Sequence, residues 1–210
     1  MNPVLHSSKA DDWRTPASFL TLVRKVNPIV FDPATSIDNP CRAAFYMSPG
    51  ERLNVSGVGG IRVGNDGLDR GAAWKDLIRA GHIAADGVGA PKGLTYVNPP
   101  YGRSLGAWAE RIVEHLDETI VLVPARSDTR WFRKLWLWCD CVCFLSGRLR
   151  FERPESTGVK EDPAPFPSAV FYRARRYPGE RVMGAAKVPE LGPFTSVFSG
   201  EGLIAVPTDA

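Results

Sequence analysis

The chain predicts an α/β fold with a mostly parallel central sheet flanked by helices. Short continuous apolar runs at residues 29–31, 93–97, 119–124 and 139–145 read as strands buried on both faces. Two segments with helical apolar spacing alternate with the last three runs. Strand, helix, strand, helix, strand in that order favours parallel pairing with right-handed crossovers. A length of 210 residues suits one such domain with a sizeable core.

Residues 1–10 read as a flexible tail and residues 11–210 as a single domain, with no internal repeat. Asp11-Asp12-Trp13-Arg14-Thr15-Pro16 opens a helix, with Thr15 as N-cap and Pro16 at the first helical position, where a missing N–H costs nothing. Phe19, Leu20, Val23 and Val26 give that helix its apolar face. Asp32-Pro33-Ala34-Thr35-Ser36 ends the first strand. Residues 47–64, rich in Gly, Ser and Pro, read as a long loop or an irregular hairpin. Asn65-Asp66-Gly67-Leu68 is a turn leading to Trp74 and a weak helix near 71–80, followed by a second Gly-rich stretch at 81–93.

Ser104 caps a helix that carries Leu105, Trp108, Ile112, Val113 and Leu116 on one face. Asp128 or Thr129 starts another, with Trp131, Phe132 and Leu135. A polar, Pro-rich loop at 152–165 precedes a strand at 168–173, and the tail from 177 ends in a short strand at 202–206.

Hydrophobic content is 44% and charged content 23%, ordinary for a soluble globular protein. No apolar run approaches the ~20 residues of a membrane span. Met1-Asn2-Pro3-Val4-Leu5-His6 lacks the basic and apolar regions of a signal peptide, so the expected location is cytoplasmic, away from membranes. Net charge is +3, with the basic excess confined to residues 121–210, where 13 basic side chains meet 10 acidic ones. That bias is compatible with phosphate contacts and equally with a solvated surface. Cys139, Cys141 and Cys143 alternate and share one face of a strand. Their spacing is not that of zinc ligands, and the three histidines stand far from them, so a core strand is favoured over a metal site.

Asn98-Pro99-Pro100-Tyr101-Gly102 is the most informative stretch. Two consecutive prolines stop the preceding strand, because neither donates to a ladder and each fixes its own φ. The result is a rigid corner at a strand's C-terminal edge. It offers the Asn98 amide, the Pro99 carbonyl and the Tyr101 ring. Two acceptors and a flat ring suit a planar ligand with an amino group at its edge, such as a nucleobase. The same residues also suit a plain tight turn with Tyr101 packed on the next helix.

With these motifs in order, the chain resembles the phage-type DNA N6-adenine methyltransferases, the phage Dam family. The resemblance spans most of residues 11–173. It rests on Asp11-x-Trp13-x-Thr15-Pro16, Phe31-Asp32-Pro33-Ala34, Asn39 with Cys41, Phe45 and Tyr46, Asp66-Gly67-Leu68 ahead of Trp74, and Asn98–Gly102. It continues through residues 122–129, Trp131-Phe132, Gly147-Arg148-Leu149-Arg150-Phe151 and Ala164-Pro165-Phe166-Pro167-Ser168. It implies a Rossmann-like methyltransferase fold that uses S-adenosyl-L-methionine (SAM) to methylate the exocyclic amine of adenine in double-stranded DNA, without a separate target-recognition domain. It suggests a phage role in evading host restriction.

In that reading Asp32, Pro33 and Ala34 resemble the first SAM-binding motif, passing the amino-acid end of the cofactor. Thr35-Ser36 stands where larger methyltransferases continue with glycines. Thr15 and Pro16 resemble the motif that closes over the methionine moiety, and a plain helix cap is the alternative. Asp66 resembles the carboxylate that accepts from the cofactor's adenine amine, against a solvated turn aspartate. Phe31 and Tyr46 are expected in the core.

The chemistry assigned to Asn98 and Pro99 follows from the amine. Its lone pair is delocalised into the ring, so it is a poor nucleophile. Two acceptors at tetrahedral directions localise that pair, and held as preorganised dipoles they carry the charge developing on nitrogen. The leaving group is neutral, so neither a metal nor a strong base is needed. A base in a duplex must flip out to reach this corner, at a cost of a few kcal/mol. Stacking on Tyr101 returns roughly 1–3 kcal/mol. Trp13 is a second ring wall or an anchor, and Arg126, Arg130, Arg148 and Arg150 are candidates for DNA contacts, mostly to phosphates. Cytosine N4, an RNA base or a protein glutamine amide poses the same chemical problem, and a non-catalytic DNA-binding relative is the reading from another class.

Overall fold

The computed structural model describes residues 13–36, 38–49, 60–64, 66–84, 92–151, 163–174, 197–199 and 202–204. The tail at 1–10 and Asp11 and Asp12 lie outside these residues, as do most of the loops at 47–64, 81–93 and 152–165 and most of the tail from 177. The elements, in chain order, are α1 (Ala17–Val26), β1 (Ile29–Asp32), β2 (Phe45–Met47), β3 (Ile61–Gly64), α2 (Trp74–Ala84), β4 (Leu94–Val97), α3 (Leu105–Val113), β5 (Thr119–Pro124), α4 (Arg130–Trp138), β6 (Cys141–Phe144), β7 (Ser168–Arg173), β8 (Val197–Ser199) and β9 (Gly202–Ile204).

These strands form one mixed sheet in the order β3-β2-β1-β4-β5-β7-β6-β8-β9. The pairs β3–β2, β2–β1, β1–β4 and β4–β5 are parallel. The expected parallel neighbours β5 and β6 are not paired. β7 lies antiparallel between them, from Thr119↔Arg173 to Pro124↔Ser168 on one side and from Cys141↔Tyr172 to Phe144↔Ala169 on the other. Buried runs look alike in parallel and antiparallel sheets, so periodicity did not separate the two. The strand order reverses between β1 and β4, and ligands of such sheets bind outside the carboxyl ends at that point.

Alternation along the strands sorts the two faces. Phe31 meets Trp74 at 5.9 Å between rings, Thr95 meets His115 at 3.0 Å, and Phe171 meets Phe132 at 4.9 Å. Phe31, Thr95 and Phe171 therefore point to the side that carries α2, α3 and α4. Asp32, Tyr96 and the following Asn98 point to the other side, where the chain leading into α1 arrives. All six residues of β5 are buried, as expected of a strand covered on both faces.

Several local expectations change. Thr15 does not cap α1. Its hydroxyl is engaged elsewhere, and Pro16 (φ −58°, ψ 141°) takes the cap position, its carbonyl accepting from Leu20 N at 3.1 Å. Ser104 occupies the N-cap position of α3 without a side-chain cap bond, whereas Thr129 caps α4 by accepting from Phe132 N. β2 and β3, at the two ends of the stretch from 47 to 64, pair in parallel and so are not the two arms of a hairpin. Cys139 ends α4, so only Cys141 and Cys143 share the strand; all four cysteines are buried and free. Among the described residues no helix is long and apolar enough to cross a membrane, and no group of three His, Cys, Asp or Glu side chains is placed to hold a metal ion.

Candidate functional site

The carboxyl edge of the parallel strands collects the residues singled out in the sequence. Asp32 is the last residue of β1, and Asn98 is the first after β4. Arg126 and Arg130 follow β5, and Arg148 and Arg150 follow β6, all four exposed. Arg148 donates to the carbonyl of Ala164 at 3.3 Å.

At the reversal point a small cleft opens on the side of α1. Its walls include Trp13, Arg14, Thr15, Asp32, Ala34 and Asn98, together with Thr35 and Cys41. Sequence reasoning had assigned Trp13, Thr15, Asp32, Ala34 and Asn98, and the fold brings these together from segments far apart in the chain. Pro16 and the buried Pro33 adjoin the cleft as neighbours of Thr15 and Asp32. The cleft holds about 30 Å³, space for about two water molecules.

Asp32 is 3% exposed. Burial pushes its carboxyl up to about 6, opposed by hydrogen bonds from the Cys41 thiol, from Ala34 N and from the Thr35 hydroxyl. The Ala34 bond is 3.0 Å long and closes the turn after β1. Cys41 is held in turn by Arg24, which donates to its carbonyl at 2.8 Å. The Cys41 contact had no signal in the sequence beyond its place beside Asn39 in the resemblance.

Asn98 is oriented by the chain that precedes α1. Its Nδ2 donates to the Trp13 carbonyl at 2.5 Å and to Thr15 Oγ1 at 3.0 Å. Oδ1 faces away from both and is buried without a partner. Leaving such an acceptor unpaired costs about 1–3 kcal/mol, which a native structure retains where something else supplies the bond. Trp13 Nε1 and Arg14 Nε are also buried and unpartnered, while the other end of the Arg14 guanidinium pairs with Asp38 at 2.7 Å. The cleft thus combines acceptors (Asn98 Oδ1, the Asp32 carboxylate) with donors. Among the described residues no hydrogen bond reaches the neighbouring Pro99 carbonyl.

Tyr101 is not an open face here. It is buried, with its hydroxyl donating to the Leu122 carbonyl at 3.3 Å. Phe151 and Phe166 meet it edge-on at 5.8 and 5.4 Å. Trp13 packs edge-on against the same two rings at 5.5 and 5.3 Å. The corner after β4 belongs to a cluster of four aromatic rings, Tyr101 with Trp13, Phe151 and Phe166.

Asp66 lies outside the cleft, exposed, on a turn that it closes by accepting from Leu68 N at 2.8 Å. Gly67 brings that turn against the carboxyl end of β1: a Cβ there would overlap the Pro33 carbonyl and press on the Trp108 ring. Trp74 Nε1 fastens the turn by donating to the Gly67 carbonyl at 3.0 Å. Asp66 is therefore a neighbour of the Asp32–Ala34 turn along the sheet edge.

Phe31 and Tyr46 are core residues, as their sequence context implied. Comparison of the chain with family models, with curated proteins and with solved structures finds no match.

Proposed function

We propose that this chain is a SAM-dependent methyltransferase acting on the N6 amine of adenine in double-stranded DNA. The observation that carries the reading is Asn98. A rigid corner at the topological reversal of the sheet holds an amide by its N–H groups and keeps its oxygen buried and unpaired. That oxygen and the neighbouring Pro99 carbonyl are acceptors for the two hydrogens of an sp² amine. They draw its lone pair out of conjugation and stabilise the positive charge that develops on nitrogen. The proton leaves to water, since no stronger base is required once the amine is alkylated.

The cofactor supplies an electrophilic methyl group on a sulfonium and departs as a neutral thioether. The donor set of the cleft fits it chemically. Asp32 is an acidic wall for a cation, and Trp13 Nε1 and Arg14 Nε are unsatisfied donors for a carboxylate, the remaining Arg14 nitrogens being paired with Asp38. Asp32, Pro33 and Ala34, with Thr15 and Pro16 opposite and Asp66 along the edge, are the residues that would hold it. A ligand pocket for a molecule of this size encloses about 300–1,000 Å³, so binding requires the turn after β1 to move away from the segment at 13–15, which stays on Asn98. Tyr101 stacks a flipped base only once Phe151 and Phe166 yield its face.

The test is transfer of a labelled methyl group from SAM to unmethylated duplex DNA, to RNA and to protein, in parallel. Transfer to DNA, mapped by sequencing at base resolution to adenine, is the expected result. Transfer to cytosine, RNA or protein instead would overturn the adenine reading, and transfer to none would overturn the enzyme.

A further inference from the structure

Asn98 has two possible amide orientations, and one neighbour decides between them. The Trp13 carbonyl can only accept. With Nδ2 towards it, a hydrogen bond forms. With the amide reversed, two oxygens would face each other and both N–H donors would point into the cleft. The second Nδ2 hydrogen goes to Thr15 Oγ1, which must accept there. Thr15 Oγ1 also lies 2.8 Å from the hydroxyl of Tyr96, a fully buried side chain. Tyr96 and Asn98 stand two residues apart and share one face of the sheet. Thr15 therefore bridges them from the opposing segment. Burial keeps the Tyr96 phenol well above its usual pKa, so it remains a neutral hydroxyl.

We infer that the Trp13 carbonyl, Thr15 and Tyr96 form an orientation lock that makes position 98 specific for an amide and aims Oδ1 at the reacting amine. The inference rests on the reading of Asn98 as the amine acceptor. Thr15 and Tyr96 are positioning residues in it, acting through Asn98. A carboxylate at this position has no N–H for Trp13 and would set a charged oxygen against a carbonyl oxygen. It fits only when protonated, with its O–H donated to Trp13. Asn98→Asp should therefore gain activity relative to the parent as the pH falls; Asp32 lines the same cleft and, raised to about 6, titrates in both chains, so the ratio of variant to parent is the quantity read.

The experiment uses the full chain and two readouts. Methyl transfer to DNA is followed from pH 5 to 9 for the parent, Asn98→Asp, Thr15→Val, Thr15→Ser and Tyr96→Phe. The side-chain amide protons of Asn98, assigned by their loss in Asn98→Ala, are followed by ¹⁵N–¹H spectroscopy without cofactor. Asn98→Asp should fall about hundredfold below the parent at pH 8 and regain activity relative to it as the pH drops, because a buried unpaired charge disappears. Thr15→Val should lose about tenfold in turnover, the worth of one hydrogen bond at its upper range. Thr15→Ser should recover most of that loss, and Tyr96→Phe should fall between them. The Asn98 amide protons should be protected from exchange in the parent and released in Thr15→Val. Full activity of Asn98→Asp at pH 8 with a flat ratio to the parent would overturn the lock, as would unprotected amide protons in the parent. Protected protons in a protein that methylates no acceptor would leave the lock standing and remove the methyltransferase reading.

Discussion

Asn98 donates its amide to the main-chain carbonyl of Trp13, 85 residues earlier, and so holds its own oxygen buried and unpaired in the cleft. The amide is thereby preorganised before any ligand arrives. Asn98→Ala removes the acceptor and also frees Trp13 and Thr15. Turnover should fall by about 10²–10³-fold, the usual loss for one preorganised polar group. Cofactor affinity, measured by calorimetry, should fall less than turnover, because Asp32 and the turn after β1 are untouched and only the hold on Trp13 and Thr15 is loosened. A variant with parental turnover would remove Asn98 from the chemistry.

Asp32 and His115 give the protein opposing pH dependences. The Asp32 carboxyl is raised from 3.8 to about 6 by burial, so folding favours its protonated form. Its cost is absent below about pH 4, grows as the pH rises and reaches about 3 kcal/mol above pH 6. His115 is lowered from 6.5 to about 4, chiefly by burial, with Asp117 opposing and Arg111 and Arg173 assisting. Its cost is absent above about pH 6.5 and grows as the pH falls towards 4. Asp32→Asn should raise the melting temperature at pH 7–8 and lose that advantage by pH 4, exposing the His115 slope. The same variant should bind the cationic cofactor at least about tenfold more weakly at pH 8, one unit of lost charge interaction at a buried site. A variant no more stable than the parent at pH 8 would remove the burial cost assigned to Asp32.

Tyr101 needs substitutions that separate its ring from its hydroxyl. Tyr101→Phe loses only the bond to the Leu122 carbonyl and should cost about 0.5–1.5 kcal/mol in urea unfolding. Tyr101→Leu keeps apolar volume but loses the ring. A duplex carrying 2-aminopurine at the target should brighten with the parent and with Tyr101→Phe, and not with Tyr101→Leu. Equal brightening with all three would rule out stacking. Phe166→Ala, which removes one of the two rings packed on Tyr101, should leave the brightening in place.

Gly67→Ala tests whether the Asp66 turn must sit against β1. The added methyl has main chain on one side and the Trp108 ring on the other, neither of which can swing aside. The variant should lose about 1–3 kcal/mol of stability by overpacking. If Asp66 serves the cofactor, affinity should fall as well. Parental stability would mean that the turn relaxes freely.

Arg126 and Arg130 are exposed beyond β5, and a phosphate role leaves a specific signature. Arg126→Gln and Arg130→Gln should each weaken DNA binding alike for all sequences and reduce the slope of log K against log salt by about one. An unchanged slope would assign those charges to the solvated surface.

Much of this protein is legible in the chain alone. The buried runs became β1, β4, β5, β6 and β7, and Thr129 caps α4 as its position in the sequence implies. These are local properties, set by side-chain periodicity and by what a single residue can do to its nearest amides. β2 was missed because three residues leave too little pattern, and the stretch read as a long loop or an irregular hairpin leads from β2 to a strand that pairs with it in parallel.

Asn98-Pro99-Pro100 by itself determines a rigid corner, since two fixed φ angles leave the chain few alternatives. It cannot determine which way the Asn98 amide faces, because that choice belongs to the carbonyl of Trp13 on a distant segment. Thr15 shows the same division: its sequence context suits a helix cap, and only the arrival of Tyr96 and Asn98 at its hydroxyl makes it part of the site. Tyr101 was expected to present a face, and the tertiary structure covers it with Phe151 and Phe166 from segments beyond β6. Hydrogen-bond direction, burial and ring packing depend on partners that the fold alone brings within a few ångströms. The types of chemistry the chain can do are written in its residues, and which atom is left free to do it is decided by the fold.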